Sequence, residues 1–201
     1  SPLVIFPEGE IYHHHEQLDP LHEGACAMLL KAFAKLAPER DASLVPLALR
    51  FLHDAEVADS FPDRITRLEA HLGWKPRPDL DPVARIHRIG SGALALREVE
   101  WTGTASGGEL PERLRRFSDT LLADVESRQG RDAKAETTPE RYRALRQRLR
   151  KRLLDEEQPP AADERQGMLD DLDRLFVAFQ AYSYPGEYLR AKPSRHRIAE
   201  T

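Results

Sequence analysis

Phe6-Pro7-Glu8-Gly9 joins an apolar run to a polar stretch and sets a carboxylate beside a residue without a side chain. At the carboxyl end of a buried strand, a glycine lets a substrate approach the backbone, and a carboxylate there can accept a hydrogen bond from a hydroxyl or orient a base. The same four residues also describe an ordinary turn that ends a strand. His13, His14, His15 and His22 follow. Imidazoles suit zinc, copper or nickel, but adjacent residues cannot all face one ion and no regular ligand spacing accompanies them, so they read as a hydrophilic loop with no metal site. His14 and Asp19 fit His-x4-Asp, a base with an orienting carboxylate; eight histidines make one such match by chance unsurprising. Cys26 lies on the apolar side of a helical pattern with no base nearby, so it reads as buried packing. As the sole cysteine it excludes an intramolecular disulfide and a cysteine metal cluster.

The elements that must position these residues are a strand, a helix and a strand. Leu3 to Phe6 is a continuous apolar run of the kind buried in a parallel sheet, stopped by Pro7 to Gly9. Cys26, Leu29, Leu30, Phe33 and Leu36 predict a helix face between Glu23 and Leu36. Leu44 to Leu49 reads as a second buried strand, with Pro46 at an edge, end or bulge. The order predicts an α/β fold class: a βαβ portion over residues 1–55, followed by a mainly helical extension over 56–201. In the extension, Ile65, Leu68 and Leu72, then Ile86, Ile89, Ala93 and Leu96, then Leu110, Leu114, Phe117, Leu121 and Val125 repeat at helical spacing. Tyr142, Leu145, Leu149 and Leu153 form a further stripe, and Leu169, Leu172, Phe176 and Phe179 the last. Gly90 and Gly92 are small enough to let a second helix approach closely.

The 201 residues, 40% apolar, 32% charged and 7% aromatic, describe a charge-rich, helical protein and exclude collagenous and low-complexity classes. No apolar run approaches the roughly 18 residues a membrane-spanning helix needs. The net charge of −4 gives no global attraction to nucleic acid. Locally, Arg141, Arg143, Arg146, Arg148, Arg150, Lys151 and Arg152 form a basic helix with one apolar edge. Such a helix can lie on anionic lipid, or its charge can pair with the acidic block that begins at Asp155 across an antiparallel hairpin. Aromatic residues do not interleave it except at Tyr142, which argues against nucleic acid. Both termini read as cut: Ser1 leads at once into an apolar run, and the chain stops soon after a cap-like Ser194.

Phe6-Pro7-Glu8-Gly9, then His22-Glu23-Gly24-Ala25 opening a helix, then Val45-Pro46-Leu47-Ala48-Leu49 together resemble the glycerolipid acyltransferase family that includes lysophosphatidic acid acyltransferases. The resemblance covers roughly residues 2 to 51. It implies transfer of a fatty acyl group from a thioester of coenzyme A or acyl carrier protein to a hydroxyl of a glycerol phosphate or lysophospholipid. The thioester is then a co-substrate, with no bound cofactor. It further implies that Phe6, Pro7, Glu8, Gly9, Gly24 and Pro46 contribute to substrate binding. In that family the base is the His of a His-x4-Asp placed before Phe-Pro-Glu-Gly. No such motif precedes Phe6, and the pair His14 and Asp19 lies after Gly9, so none of these residues is assigned as catalytic and the chain alone is expected to be inactive. The family commonly continues with Thr-Arg-Ser, where this chain has Glu10, Ile11 and Tyr12. A phosphate-clamping guanidinium is missing there and a carboxylate is added, which casts Glu8 as acceptor for a substrate hydroxyl or organiser of a base. The implied setting is peripheral, on the cytoplasmic side of a membrane. The rival reading is a non-catalytic helical interaction module with a degenerate α/β portion.

Overall fold

The computed structural model describes residues 3–8, 21, 23–36, 43–49, 52, 55–132, 136–184 and 194–200. Among them all regular structure is helical: α1 (Gly24–Phe33), α2 (Ala55–Asp59), α3 (Phe61–His71), α4 (Pro82–Thr102), α5 (Leu110–Arg128), α6 (Thr138–Leu153), α7 (Ala162–Tyr182) and α8 (Arg195–Glu200).

Local chemistry explains where the longer helices begin and end. Each of α3, α4, α5 and α6 carries a proline in its first turn, where the missing N–H costs nothing and the fixed φ suits the helix. Asp81 caps α4 by accepting hydrogen bonds from the Val83 and Ala84 N–H groups at 2.9 and 3.1 Å. Gly103, at φ 82°, ends it in a left-handed conformation that other residues adopt only at a cost. At the head of α6, the Thr137 N–H and hydroxyl both donate to the Glu140 carboxylate, at 2.8 and 2.7 Å.

The core forms where α5 meets α4, α6 and α7, and α3 adds on through α4. Leu121, Leu122 and Val125 of α5 are buried with Leu145 and Leu149 of α6 and Leu175 and Ala178 of α7. Tyr142 and Phe179 stack with centroids 4.4 Å apart. The predicted stripes on α5 and α6 thus face this core. On α7 the buried face runs through Met168, Leu175 and Phe179, while Leu169 and Phe176 are exposed.

The expected α/β fold is corrected: the described residues contain no strand and no sheet. Leu3 to Phe6 and Leu44 to Leu49 are exposed and irregular, with Leu3 76% and Leu47 82% accessible. A buried strand needs hydrogen-bond partners on its flanks and cover on its faces, and the described chain brings neither to these runs. The βαβ portion falls with them. Cys26 is exposed rather than packed, because α1 buries none of its residues.

Candidate functional site

Between α3, α4, α5 and α7, with α8 contributing part of the wall, lies a cavity of about 930 Å³. Its wall is mainly apolar, with Phe61, Ile65, Ile89, Leu114, Phe117 and Val177 among its members. Arg64, Leu68, Ala93, Arg97 and Gln180 also line it and are exposed, so the cavity is open to solvent. Among the described residues the polar groups in the wall are Arg64, His87, Arg97, Gln180 and Tyr184, with no aspartate or glutamate. Burial pushes the Tyr184 phenol above its ordinary pKa.

The helical periods account for the lining. Ile65 and Leu68 stand three apart on α3; Ile86, Ile89 and Ala93 step by three and four on α4; Leu110, Leu114 and Phe117 step by four and three on α5. The faces that sequence reading assigns to the core bury Phe117 and Leu94 in it and leave a space beside them. Gly90 brings α4 close to α5, since a Cβ there would lie 3.1 Å from Leu110 Cδ2. Gly92 has a different neighbour from the expected helix: a Cβ there would overlap the indole of Trp74, from the α3–α4 connection.

Ion pairs with buried carboxylates tie α3 to α4 and α4 to α5. Glu69 of α3 accepts from Arg85 at 2.6 Å and from Arg88 at 2.9 Å, both on α4, and from the Arg77 N–H at 3.2 Å. Arg85 also donates to the Pro62 carbonyl at 3.2 Å. On the other side of α4, Glu98 accepts from Arg113 of α5 at 2.7 Å and from the Ser106 N–H at 2.9 Å. The Arg85 hydrogen bond foremost keeps Glu69 below the usual carboxylate range. Burial by itself would push Glu98 up, but hydrogen bonds from Arg113 and Ser106 outweigh it and the net direction is down. Periodicity does carry a signal for these pairs. Glu69 continues the apolar steps Phe61 and Ile65, and Glu98 follows Leu94 by four, so each carboxylate sits on a buried face and requires a cation.

Of the predicted substrate-binding residues, the described ones, Phe6, Pro7, Glu8, Gly24 and Pro46, do not line this cavity. Phe6 is exposed, Pro7 and Glu8 are half-buried, and Pro46 is exposed in an irregular stretch. Gly24 is the first residue of α1, and a Cβ there would meet nothing within 4 Å among the described residues. Gly9, His13, His14, His15, Asp19 and His22 lie outside the described residues, as do Glu10, Ile11 and Tyr12.

α6 and α7 pack against each other, but part of the charge of the two blocks pairs with α5 instead of across that hairpin. Arg141 pairs with Glu126 at 2.8 Å and Asp119 at 3.0 Å, both on α5. Asp171 of the acidic block likewise turns to α5, accepting from Arg128 at 2.8 Å and Gln129 at 2.9 Å. Between the two blocks, Arg152 reaches Glu164 at 3.2 Å. Arg148, Arg150 and Lys151 are exposed on α6. No helix of the described residues is long and apolar enough to cross a membrane.

Compared with protein-family models, curated proteins and solved structures, the chain matches none of them.

Proposed function

We propose that this chain serves transfer of a fatty acyl group from an acyl thioester to a hydroxyl of a glycerol phosphate or lysophospholipid, peripherally, at the cytoplasmic side of an anionic membrane. The observation that carries the reading is the order of three blocks: Phe6-Pro7-Glu8-Gly9, Gly24-Ala25 at a helix start, and Val45-Pro46. Two structural features support it. Gly24 opens α1, and Phe6 to Glu8 remain accessible to a substrate. The exposed cations Arg148, Arg150 and Lys151 supply a surface that anionic lipid would attract by about 1 kcal/mol per residue. Glu8 would accept a hydrogen bond from the acceptor hydroxyl or orient the base, and the base itself would come from a His-x4-Asp placed before Phe6.

The test is an acyl-transfer assay of a protein that carries this chain behind such a motif, against a panel of lysolipids. Glu8→Gln is expected to keep the melting temperature within a few degrees and to lose at least about tenfold in rate, the scale of one transition-state interaction of ~1.4 kcal/mol. An unchanged rate would reduce Phe-Pro-Glu-Gly to a structural turn. A second reading, the non-catalytic helical module, draws on one observation: no described residue between 3 and 49 is buried, whereas α3 to α7 enclose buried residues of their own. Absence of acyl transfer to every lysolipid would leave that reading standing.

A further inference from the structure

We infer that the cavity between α3, α4, α5, α7 and α8 is a binding site for a single-chain amphiphile with an anionic head group, the chain lying inside and the head at the opening beside Arg64 and Arg97. The assignment stands on the helical body and does not depend on the acyl-transfer reading.

Volume, lining and charge each narrow the occupant. At about 930 Å³ the cavity falls in the range of roughly 300–1,000 Å³ typical of small-molecule sites. A wall built from Ile65, Ile89, Leu114, Phe117 and Val177 offers water few hydrogen-bond partners, so a space of this size is better filled by hydrocarbon than by a water cluster. Among the described residues the polar groups of the lining are cations and neutral donors, and no carboxylate is among them. That asymmetry selects a negative head group over a positive one.

The two arginines have the capacity to receive it. Arg64 uses its Nε–H on the Ser60 hydroxyl at 2.8 Å, and its terminal nitrogens have no partner among the described residues. Arg97 shares an exposed pair with Glu100 at 2.7 Å, the kind of surface contact that is worth little and exchanges readily. A guanidinium presents paired N–H groups that match a carboxylate or a phosphate equally well, so a fatty acid and a lysophosphatidate meet the same chemistry here.

Equilibrium dialysis of the 201-residue chain against palmitate, 1-oleoyl-lysophosphatidate and neutral monoolein, each below its micelle concentration, tests the assignment. Saturable binding of one or both anionic probes near one per chain is expected, with monoolein at least about tenfold weaker. Tighter binding of palmitate identifies a carboxylate as the preferred head, and tighter binding of lysophosphatidate a phosphate. Ala93→Trp places an indole in the cavity from an exposed position that no core contact requires, and should weaken every probe by at least about tenfold. Gln180→Trp does the same from α7 and serves as the second blocking variant, with circular dichroism reporting that each retains its helices. The double change Arg64→Gln with Arg97→Gln should weaken only the anionic probes. No saturable binding of either anionic probe to the folded chain overturns the inference. So does equal affinity for monoolein, or unchanged affinity in both folded tryptophan variants.

Discussion

Leu3, Val4, Leu47 and Leu49 stand 73–82% exposed, while Leu121, Leu145 and Leu175 are at most 1% exposed, although all seven belong to apolar patterns in one chain. The two regions differ in what their backbones require. A helix satisfies its N–H and C=O groups within itself, so α5, α6 and α7 need only align their apolar stripes to bury them. An extended run must find hydrogen-bond partners elsewhere in the chain before burial is affordable, and the described residues offer none to Leu3–Phe6 or Leu44–Leu49. Apolar sequence is therefore a demand for cover, and the length over which its partner lies decides whether the demand is met.

The sharpest break in this comparison is a matched pair of truncations. Leu145→Ala, in the centre of the α5–α6–α7 core, should destabilise by about 2–5 kcal/mol, whereas Phe6→Ala should stay within about 0.5 kcal/mol. Urea unfolding followed by circular dichroism measures both. A comparable loss from Phe6→Ala would mean that the first region is packed after all.

Next comes the charge frame of the helical region. Glu98→Ala leaves Arg113, 9% exposed at its side chain, without its partner and should cost about 3 kcal/mol. The pH dependence follows from the same groups. Glu98 and Glu69 have folded-state pKa values below the ordinary glutamate value of about 4.3, so their contribution is fully present above that pH and is lost as the pH falls through the folded values. The urea midpoint should accordingly be flat above about pH 5 and drop below about pH 4, with a shallower drop in Glu98→Ala. A midpoint that rises on acidification would contradict the buried pairs.

A glycine pair gives the smallest effect and the finest discrimination. Gly92→Ala forces a methyl group into the Trp74 indole and should cost about 1–3 kcal/mol. Gly24→Ala meets open space at the start of α1 and should be neutral within about 0.5 kcal/mol. Equal effects would erase the distinction between a packed and an unpacked glycine.

The same physics explains which features were legible without coordinates. The stripe Leu110, Leu114, Phe117, Leu121 and Val125 named α5 and its inward face, and Gly130 lies just past its end. The strand expectation over Leu3–Phe6 and Leu44–Leu49 failed because a short continuous apolar run carries no period that separates a buried strand from an uncovered coil. The cavity was invisible because the stripes Ile86, Ile89, Ala93 and Leu110, Leu114, Phe117 look the same whether they interlock throughout or leave a space beside them. The charge blocks of α6 and α7 were seen, but not that Arg141 and Asp171 would both turn to α5.

What residue types and spacing determined by themselves were the properties that act over one or two turns of chain: the helices α3 to α7, the proline starts of α3 to α6, the Asp81 start and Gly103 stop of α4, and the absence of a membrane-spanning segment in the described residues. Tertiary structure alone decided which buried carboxylate meets which arginine, that Gly92 accommodates a tryptophan, and that four apolar faces leave about 930 Å³ between them. Those outcomes depend on distances between residues far apart in the chain, which are set by how whole helices cross and not by the pattern along any one of them.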